Sequence, residues 1–176
     1  MRILSELRLY LCNYIVNKVP SRRFRIFFYR KIMRFNISSG ASIFLGCTFD
    51  AAGGLSLGLN SVINTNCRID TRGGVNIGEN VSLSNNCTIL TADHDFHSDD
   101  FRGRVREVNI GDYSWIGTET MVLPGVRIGY GAIVGAKSLV IKNVDPRTFN
   151  AGVPAKFIIE RDCEFNYSTK YSRIFQ

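Results

Sequence analysis

Aliphatic residues recur at every sixth position along the middle of this chain. The repeat is clearest in nine isoleucine, leucine and valine residues: Ile77, Leu83, Ile89, Ile110, Ile116, Val122, Ile128, Val134 and Val140. An amphipathic helix would space its apolar residues by three and four, whereas a period of six suits a short strand followed by a corner. Three such sides make one coil. The repeat therefore predicts an all-β fold, a parallel β-helix of about five coils over residues 37–145.

One side of the predicted coils carries extra residues. The pairs Gly53-Gly54 and Gly73-Gly74 lengthen the third side of two coils, and a far longer insertion leaves the same side of the next coil. A solenoid keeps its core when insertions leave by a single face, and loops this long are usually functional. Residues 91–109 are therefore predicted to form an extruded, functional loop.

Three of the five cysteines follow the same register. Cys47, Cys67 and Cys87 each stand at the fifth position of a six-residue unit, where small side chains face the interior. A metal or redox site is one interpretation. We favour the other, in which buried free cysteines pack as small hydrophobic residues.

The segments that flank the repeat differ in character. Residues 1–36 carry nearly all the net charge of +7, with the sequence of two amphipathic helices split at Val19–Ser21 and the second helix capped by Ser21. Such an arm would cover the open end of the first coil. Its aromatic and aliphatic residues, interleaved with arginine and lysine, also predict peripheral contact with an anionic membrane. Residues 146–176 form a C-terminal extension.

Location is inferred from composition. No stretch approaches the roughly 20 apolar residues of a membrane span. Arg2, Glu6 and Arg8 interrupt the first apolar residues, which argues against a secretory signal. The cysteines lack the paired spacing of a disulfide framework. We therefore expect a cytoplasmic protein, in contact with the inner face of the membrane where the arm binds it. No nucleic-acid-binding module accompanies the charge, so nucleic acid is not an expected partner.

The candidate chemistry lies in the long loop. Both histidines of the chain, His94 and His97, stand near its start, in a stretch that also holds four aspartates. An imidazole titrates near neutral pH and is the usual general base for removing a hydroxyl proton during acyl transfer. Any of the aspartates could orient it. Two histidines do not complete a three-histidine zinc set, so no metal is expected.

The repeat, the loop and the segment Asn150–Lys156 (NAGVPAK) together resemble the hexapeptide-repeat acyltransferases. Within them, the galactoside and maltose O-acetyltransferases and the enzymes that modify capsule or O-antigen polysaccharides are most similar. The resemblance covers roughly residues 37–160. It implies a left-handed β-helix, a homotrimer with active sites between subunits, acetyl-CoA as co-substrate, and a short C-terminal helix after the NAGVPAK segment.

The resemblance also assigns roles to individual residues. It implies that His94 is the catalytic base and that Asn64, Asp93 and His97 lie on the acceptor side. The residues implied to bind acetyl-CoA are Trp115, Gly117, Thr118, Ala136, Lys142 and Lys156. Other interpretations stay open: Asn64 is also a common corner residue, and Trp115 also fits packing at a subunit boundary.

Two positions depart from the family's pattern. Ile141 stands where relatives have a threonine, and Ile159 where they have an arginine. The expected function is acetyl-CoA-dependent O-acetylation of a sugar hydroxyl by direct transfer, in the biosynthesis of a surface polysaccharide. The alternatives are N-acetylation of an amino sugar and a non-catalytic, membrane-recruited β-helix scaffold.

Overall fold

Short parallel strands wind five times around one axis in the computed structural model, which describes residues 2–171. The coils consist of β1 (Asn36–Ile37), β2 (Ser42–Ile43), β3 (Thr48–Phe49), β4 (Leu55–Leu57), β5 (Val62–Ile63), β6 (Arg68–Ile69), β7 (Val75–Ile77), β8 (Ser82–Leu83), β9 (Thr88–Ile89), β12 (Val108–Ile110), β13 (Trp115–Ile116), β14 (Met121–Val122), β15 (Arg127–Ile128), β16 (Ile133–Val134) and β17 (Leu139–Val140). A hairpin of β10 (Ala92–His94) and β11 (Gly103–Val105) interrupts them, and β18 (Thr148–Gly152) and β19 (Ala155–Glu160) follow. The predicted β-helix of five coils is confirmed.

The strands stack into three flat walls. Sheet A contains β1, β4, β7, β12 and β15, sheet C contains β3, β6, β9, β14 and β17, and sheet B contains β2, β5, β8, β13 and β16 extended by β18 and β19. The chain visits them in the order A, B, C, which defines an A–B corner, a B–C corner and a C–A corner in every coil. Both glycine pairs and the hairpin lie on the C–A corner, as the insertion pattern predicted.

The register places like side chains above one another. Ile37, Leu57, Ile77, Ile110 and Ile128 are paired in sequence along sheet A, and all five are buried. In the coil strands of sheets B and C one large apolar side chain per strand faces inward; it is aliphatic in every such strand except β3, where it is Phe49. Because equivalent side chains stack from coil to coil, they form one continuous apolar core along the axis.

The three repeated cysteines form a short column inside this core. Cys47, Cys67 and Cys87 are fully buried, and their thiols donate to backbone carbonyls of the next coil at 3.0, 3.2 and 3.1 Å. The packing interpretation is therefore confirmed, since each thiol is satisfied by the backbone and shielded from solvent.

Two helices close the N-terminal end of the solenoid. They are α1 (Arg2–Tyr14) and α2 (Arg22–Lys31), separated by a 3-10 turn at Val16–Lys18, and the Ser21 hydroxyl caps α2 by accepting from the Phe24 N–H. The break and the cap match the sequence prediction. Within residues 2–171 neither helix is long and apolar enough to cross a bilayer.

The helices satisfy the unpaired backbone of the first coil. The Asn13 amide both donates to and accepts from the Phe49 backbone, at 2.8 and 3.0 Å. Arg30 donates to the Ile37 carbonyl at 2.7 Å, and the buried Arg25 donates to that of Ile43 at 3.2 Å. An exposed strand edge would otherwise invite pairing with another chain. The arm therefore terminates the solenoid through hydrogen bonds as well as apolar contact.

The C-terminal end departs from the prediction. A short helix was expected after the NAGVPAK segment, but β18 pairs with β16 in parallel and β19 folds back antiparallel on β18. The prediction of a helix is wrong. Its physical cause is the open edge of sheet B in the last coil, whose backbone groups β18 satisfies.

Residues beyond β19 run back along the A–B corner towards the first coil. Phe165 is buried against Tyr113, with ring centroids 5.5 Å apart, and the Tyr167 hydroxyl donates to the Tyr113 carbonyl at 3.0 Å. Further along, the Thr169 hydroxyl donates to the Asn60 carbonyl at 2.8 Å. This segment therefore links the fourth coil to the second. Residues 172–176 of the predicted C-terminal extension lie outside the described residues.

Candidate active site

The long insertion is an ordered hairpin. Strands β10 and β11 pair antiparallel, with Asp93 opposite Arg104 and His94 opposite Gly103. Residues 95–102 form its tip, where the Asp95 N–H donates to the Arg102 carbonyl at 2.9 Å. His94 is therefore the last residue of β10, where pairing with β11 holds its backbone directly before the tip.

A backbone carbonyl orients the His94 ring. Its Nδ1 lies 2.7 Å from the carbonyl oxygen of Phe101. A carbonyl can only accept, so this contact assigns the proton to Nδ1 and leaves the Nε2 lone pair free. The ring also stacks on that of Phe101, with centroids 4.3 Å apart and planes within 4°. An exposed imidazole with a fixed tautomer and an available lone pair is suited to accept a proton.

Asp93, the predicted neighbour of the base, has a different set of partners. Its carboxylate pairs with Arg104 at 2.6 Å and with Arg106 at 2.5 Å. The hydrogen bond from Arg104, followed by that from Arg106, lowers the pKa of the Asp93 carboxyl. Both arginines follow the tip, so Asp93 links β10, which leaves the coil, to the segment that returns to it. Its acceptor-side role stays a prediction.

His97 lies in the tip and contacts neither the His94 ring nor the solenoid among the described contacts. Its ring packs against that of Phe96 at 4.2 Å, and its backbone N–H donates to the Asp95 carboxylate at 3.2 Å. The side chain is exposed. An acceptor-side role for His97 is compatible with this position and stays a prediction.

Several of the other predicted residues meet along the B–C corner. Asn64, Gly117, Thr118 and Ala136 all stand where sheet B turns into sheet C, in coils linked by successive backbone hydrogen bonds. The Lys137 N–H donates to the Thr118 carbonyl at 2.8 Å, so residues 118 and 136 lie on neighbouring levels. The structure thus brings one acceptor-side candidate and three donor-side candidates onto a single corner.

Close approach of the backbone accounts for the glycine on this corner. A Cβ at Gly117 would lie 2.5 Å from the backbone nitrogen of Ala136, nearer than any side chain tolerates. The Gly117 N–H donates to the Val134 carbonyl at 2.8 Å, within the ladder between coils. The N–H of Thr118 has no hydrogen-bond partner among residues 2–171.

The side chains of Asn64 and Trp115 each make a hydrogen bond within the solenoid. The Asn64 side-chain amide donates to the Leu83 carbonyl in the next coil at 2.6 Å. Trp115 is half exposed, and its indole N–H donates to the Ser84 hydroxyl on the B–C corner at 3.0 Å. Both side chains face this corner. The corner-residue interpretation of Asn64 and a ligand contact by either residue both remain open.

The two candidate phosphate-binding lysines are separated. Lys156 is the second residue of β19 and pairs with Ala151, just beyond the B–C corner of the last coil. Lys142 follows β17 and therefore lies on the C–A corner, as does the hairpin with His94. The candidate base and Lys142 thus occupy one corner of the chain, and the remaining donor-side candidates lie on or beside another.

The sequence did not identify every residue of the candidate site. The Phe101 carbonyl is a backbone group, and no residue type signals its use. Arg104 and Arg106 were foreseeable only as basic residues near four aspartates. In the described part of the chain, no three histidine, cysteine, aspartate or glutamate side chains converge on one point.

Solved structures of hexapeptide-repeat acetyltransferases and related O-acetyltransferases share this solenoid fold. The acetyltransferase VCA0836 of Vibrio cholerae superposes with a TM-score of 0.84 at 20% identity, over 92% of this chain and 93% of that one. A maltose O-acetyltransferase of Clostridium difficile 630 gives 0.79 at 26% identity, over 89% and 84%. A galactoside acetyltransferase in complex with coenzyme A gives 0.80 at 26% identity, over 98% and 88%.

Sequence comparison leads to acetyltransferases as well. Over 61 residues the chain is 46% identical to a chloramphenicol acetyltransferase of Escherichia coli, a match covering 35% of this chain and 29% of that protein. It is 37% identical over 130 residues to SAR2635 of Staphylococcus aureus strain MRSA252, provisionally named an acetyltransferase, covering 72% of this chain and 65% of that protein. The chain therefore spans less than a third of the chloramphenicol acetyltransferases that it matches. No protein-family model matches it.

Proposed function

We propose that this protein is an acetyl-CoA-dependent O-acetyltransferase that acts on a sugar hydroxyl, with His94 as general base. The observation that carries the proposal is the free Nε2 of a ring whose Nδ1 proton is held by the Phe101 carbonyl at 2.7 Å. A base that only accepts a proton suits an alcohol, which must lose one as it attacks. An amino sugar, the alternative acceptor, attacks as a neutral amine and loses its proton afterwards.

The transfer needs no covalent enzyme intermediate. The acceptor hydroxyl gives its proton to Nε2 while its oxygen bonds to the thioester carbon. The carbon–sulfur bond then breaks, and the imidazolium returns the proton to the departing thiolate, so that coenzyme A leaves as a thiol and the sugar as an acetyl ester. The cysteines of the repeat are buried in the core and play no part.

The B–C corner is the proposed donor site. Gly117 and Ala136 would let a pantetheine arm lie close to the backbone at this corner, because neither residue projects a large side chain. The unpartnered N–H of Thr118 is a ready donor to the thioester oxygen as negative charge develops there. Lys156, exposed at the end of the same corner, supplies a charge-assisted contact for the nucleotide phosphates.

Assembly as a homotrimer is part of the proposal. His94 projects from the C–A corner, whereas Thr118 and Ala136 lie on the B–C corner of the same chain. Packing one chain's C–A corner against another's B–C corner would bring base and thioester together, and a three-fold axis repeats that contact in a closed ring. Lys142, on the same corner as His94, would then reach the donor from the neighbouring subunit.

Surface polysaccharide is the proposed acceptor class, and the arm supports a location at the cytoplasmic face of the membrane. Leu4, Leu7 and Ile32 are exposed and line a cleft of about 660 Å³ between α1 and α2. Arg34 and Lys31, on its rim, form no ion pair among the described residues. Apolar side chains within a basic rim match an anionic bilayer surface, where a lipid-carried saccharide would be found. A β-helix scaffold without catalysis would use the same surface.

The donor and the acceptor are tested in one experiment. We expect calorimetry to show acetyl-CoA binding that Lys156→Glu weakens at least tenfold, whereas Lys170→Glu, the same charge reversal on an exposed lysine of the C-terminal segment, leaves it within twofold. Thiol release is then followed with sugars, amino sugars and chloramphenicol, the last because of the sequence match to chloramphenicol acetyltransferases. A folded protein that binds no acetyl-CoA would refute the proposal in favour of the scaffold.

A further inference from the structure

A buried carboxylate lies beneath the hairpin that carries His94. Asp70 follows β6 on the C–A corner, one coil before the hairpin, and its side chain has no exposed surface. Burial of an ionised carboxylate is costly unless every oxygen is hydrogen-bonded. The Asp70 carboxylate does not belong to the apolar core, because the inward positions of the coil are already filled by aliphatic residues and cysteine.

The Asp70 carboxylate accepts five hydrogen bonds. The Arg72 side chain donates two, at 2.8 and 3.0 Å, and the Arg72 backbone N–H donates one at 3.2 Å. The other two come from the first residues of the hairpin: the N–H groups of Thr91 and Ala92 both donate to Oδ2, at 3.1 and 3.0 Å. Ala92 begins β10, two residues before His94.

Thr91 extends this attachment to the other end of the hairpin. Its carbonyl accepts from the Arg106 N–H at 2.7 Å, where the chain returns to the coil, and its hydroxyl donates to the Asp70 carbonyl at 2.9 Å. The same hydroxyl accepts from the Gly73 N–H at 2.9 Å. Both ends of the insertion are thus fixed, directly or through Thr91, to Asp70.

Arg72 keeps the carboxylate in its accepting form. Burial by itself would raise the pKa of Asp70, but the hydrogen bonds from Arg72 and from the Thr91 N–H outweigh it and lower that pKa to about 2. An ionised carboxylate accepts more strongly than a neutral amide or acid. The attachment is therefore at full strength across the pH range in which an imidazole can act as a base.

We propose that Asp70 is a positioning residue for catalysis: its carboxylate fixes the direction in which β10 leaves the coil and thereby places the Nε2 of His94. This inference rests on the proposed function of His94. Displacement of a catalytic group by about 1 Å, even by a change remote from the chemistry, can lower a rate about 100-fold. Asp93, bonded to Arg104 and Arg106, acts further along the same hairpin by holding its strands together.

The test compares Asp70→Asn with Asp50→Asn in the full-length protein. Asp50 occupies the same corner one coil earlier, pairs with Arg68 at 2.8 Å and lies 3.7 Å from Arg72, but it accepts no hydrogen bond from the hairpin among the described residues. An amide at position 70 keeps one oxygen, which cannot serve both Arg72 and the two hairpin N–H groups. We expect kcat to fall 10- to 100-fold with the KM for acetyl-CoA within twofold, because the donor site lies on another corner. Asp50→Asn should keep kcat within twofold.

Hydrogen exchange supplies a readout that does not require turnover. Peptides covering residues 92–105 should exchange at least tenfold faster in Asp70→Asn, with no change in Asp50→Asn. If the wild type has no transferase activity but this exchange difference is found, the proposed function fails and the structural role of Asp70 stands. Unchanged exchange, or equal kcat in the two variants, would overturn the inference. If Asp70→Asn does not fold, Asp70→Glu keeps the charge but moves it by one methylene, and the same drop in kcat is expected.

Discussion

Replacement of His94 by alanine is the most direct test of the mechanism. The imidazole makes two contacts, the hydrogen bond to the Phe101 carbonyl and the stack on its ring, and both lie on an exposed hairpin outside the core. A typical hydrogen bond contributes about 1 kcal/mol, and an aromatic pair a similar amount when buried. Exposure reduces both, so we expect the free energy of unfolding to fall by no more than about 1 kcal/mol.

The effect on turnover should be far larger. General-base catalysis contributes about 10²- to 10⁴-fold to a rate, which corresponds to about 3 to 5 kcal/mol of activation free energy. Thiol release from acetyl-CoA, measured with saturating acceptor, reports kcat, and calorimetry reports donor affinity. We expect His94→Ala to lower kcat by at least 100-fold and to leave acetyl-CoA binding within twofold, because the donor corner is intact.

Asp99→Asn is the matched control, since Asp99 is an exposed residue of the same tip with no contact to the ring. It should keep kcat within twofold. If His94→Ala retained more than a tenth of the wild-type kcat, or if both variants lost activity equally, the assignment of His94 as the base would be refuted. Equal loss would indicate that the integrity of the tip, and not the imidazole, sustains turnover.

Three further predictions concern the rest of the molecule. In the native protein a thiol reagent should modify Cys163 alone among the five cysteines, because the other four are buried and burial raises the pKa of Cys12 to about 12; denaturant should expose all five. An aspartate has a pKa near 3.9 in an unfolded chain, whereas the pKa of Asp70 is about 2 in the folded one. Asp70 therefore adds about 2 kcal/mol to the free energy of unfolding above pH 4, and this contribution is lost as the pH falls towards 2. Denaturant titrations should show a smaller loss of stability over this pH range in Asp70→Asn. Vesicles containing phosphatidylglycerol should bind the protein, and neutral phosphatidylcholine vesicles should not. Leu7→Glu should weaken that binding at least tenfold and Ile158→Glu, an exposed residue at the opposite end, should leave it unchanged; equal binding to both vesicle types would contradict the proposed membrane contact.

The two predicted candidate clusters show how far spacing alone can go. Thr118 and Ala136 lie 18 residues, or one coil, apart, and the structure has them on one corner in neighbouring coils. The resemblance grouped Lys142 with them, whereas within one chain it follows a different side of its coil. Spacing along the chain identifies which level of a solenoid a residue occupies. Its corner is defined only when the sides of each coil are correctly counted.

The sequence by itself determined the solenoid, its coil number and the place of the insertion. Each side of a coil buries an apolar side chain at the equivalent position, so a period of six in the sequence follows directly from the fold. The tertiary structure alone decided how His94 is held, because its partner is a backbone carbonyl, a group that every residue carries. It also decided that residues after β18 form a strand instead of a helix, since the open edge of sheet B lies outside that segment. The role of Asp70 has the same origin: the N–H groups that it accepts belong to the next coil, and only the stacking of coils brings them to the carboxylate.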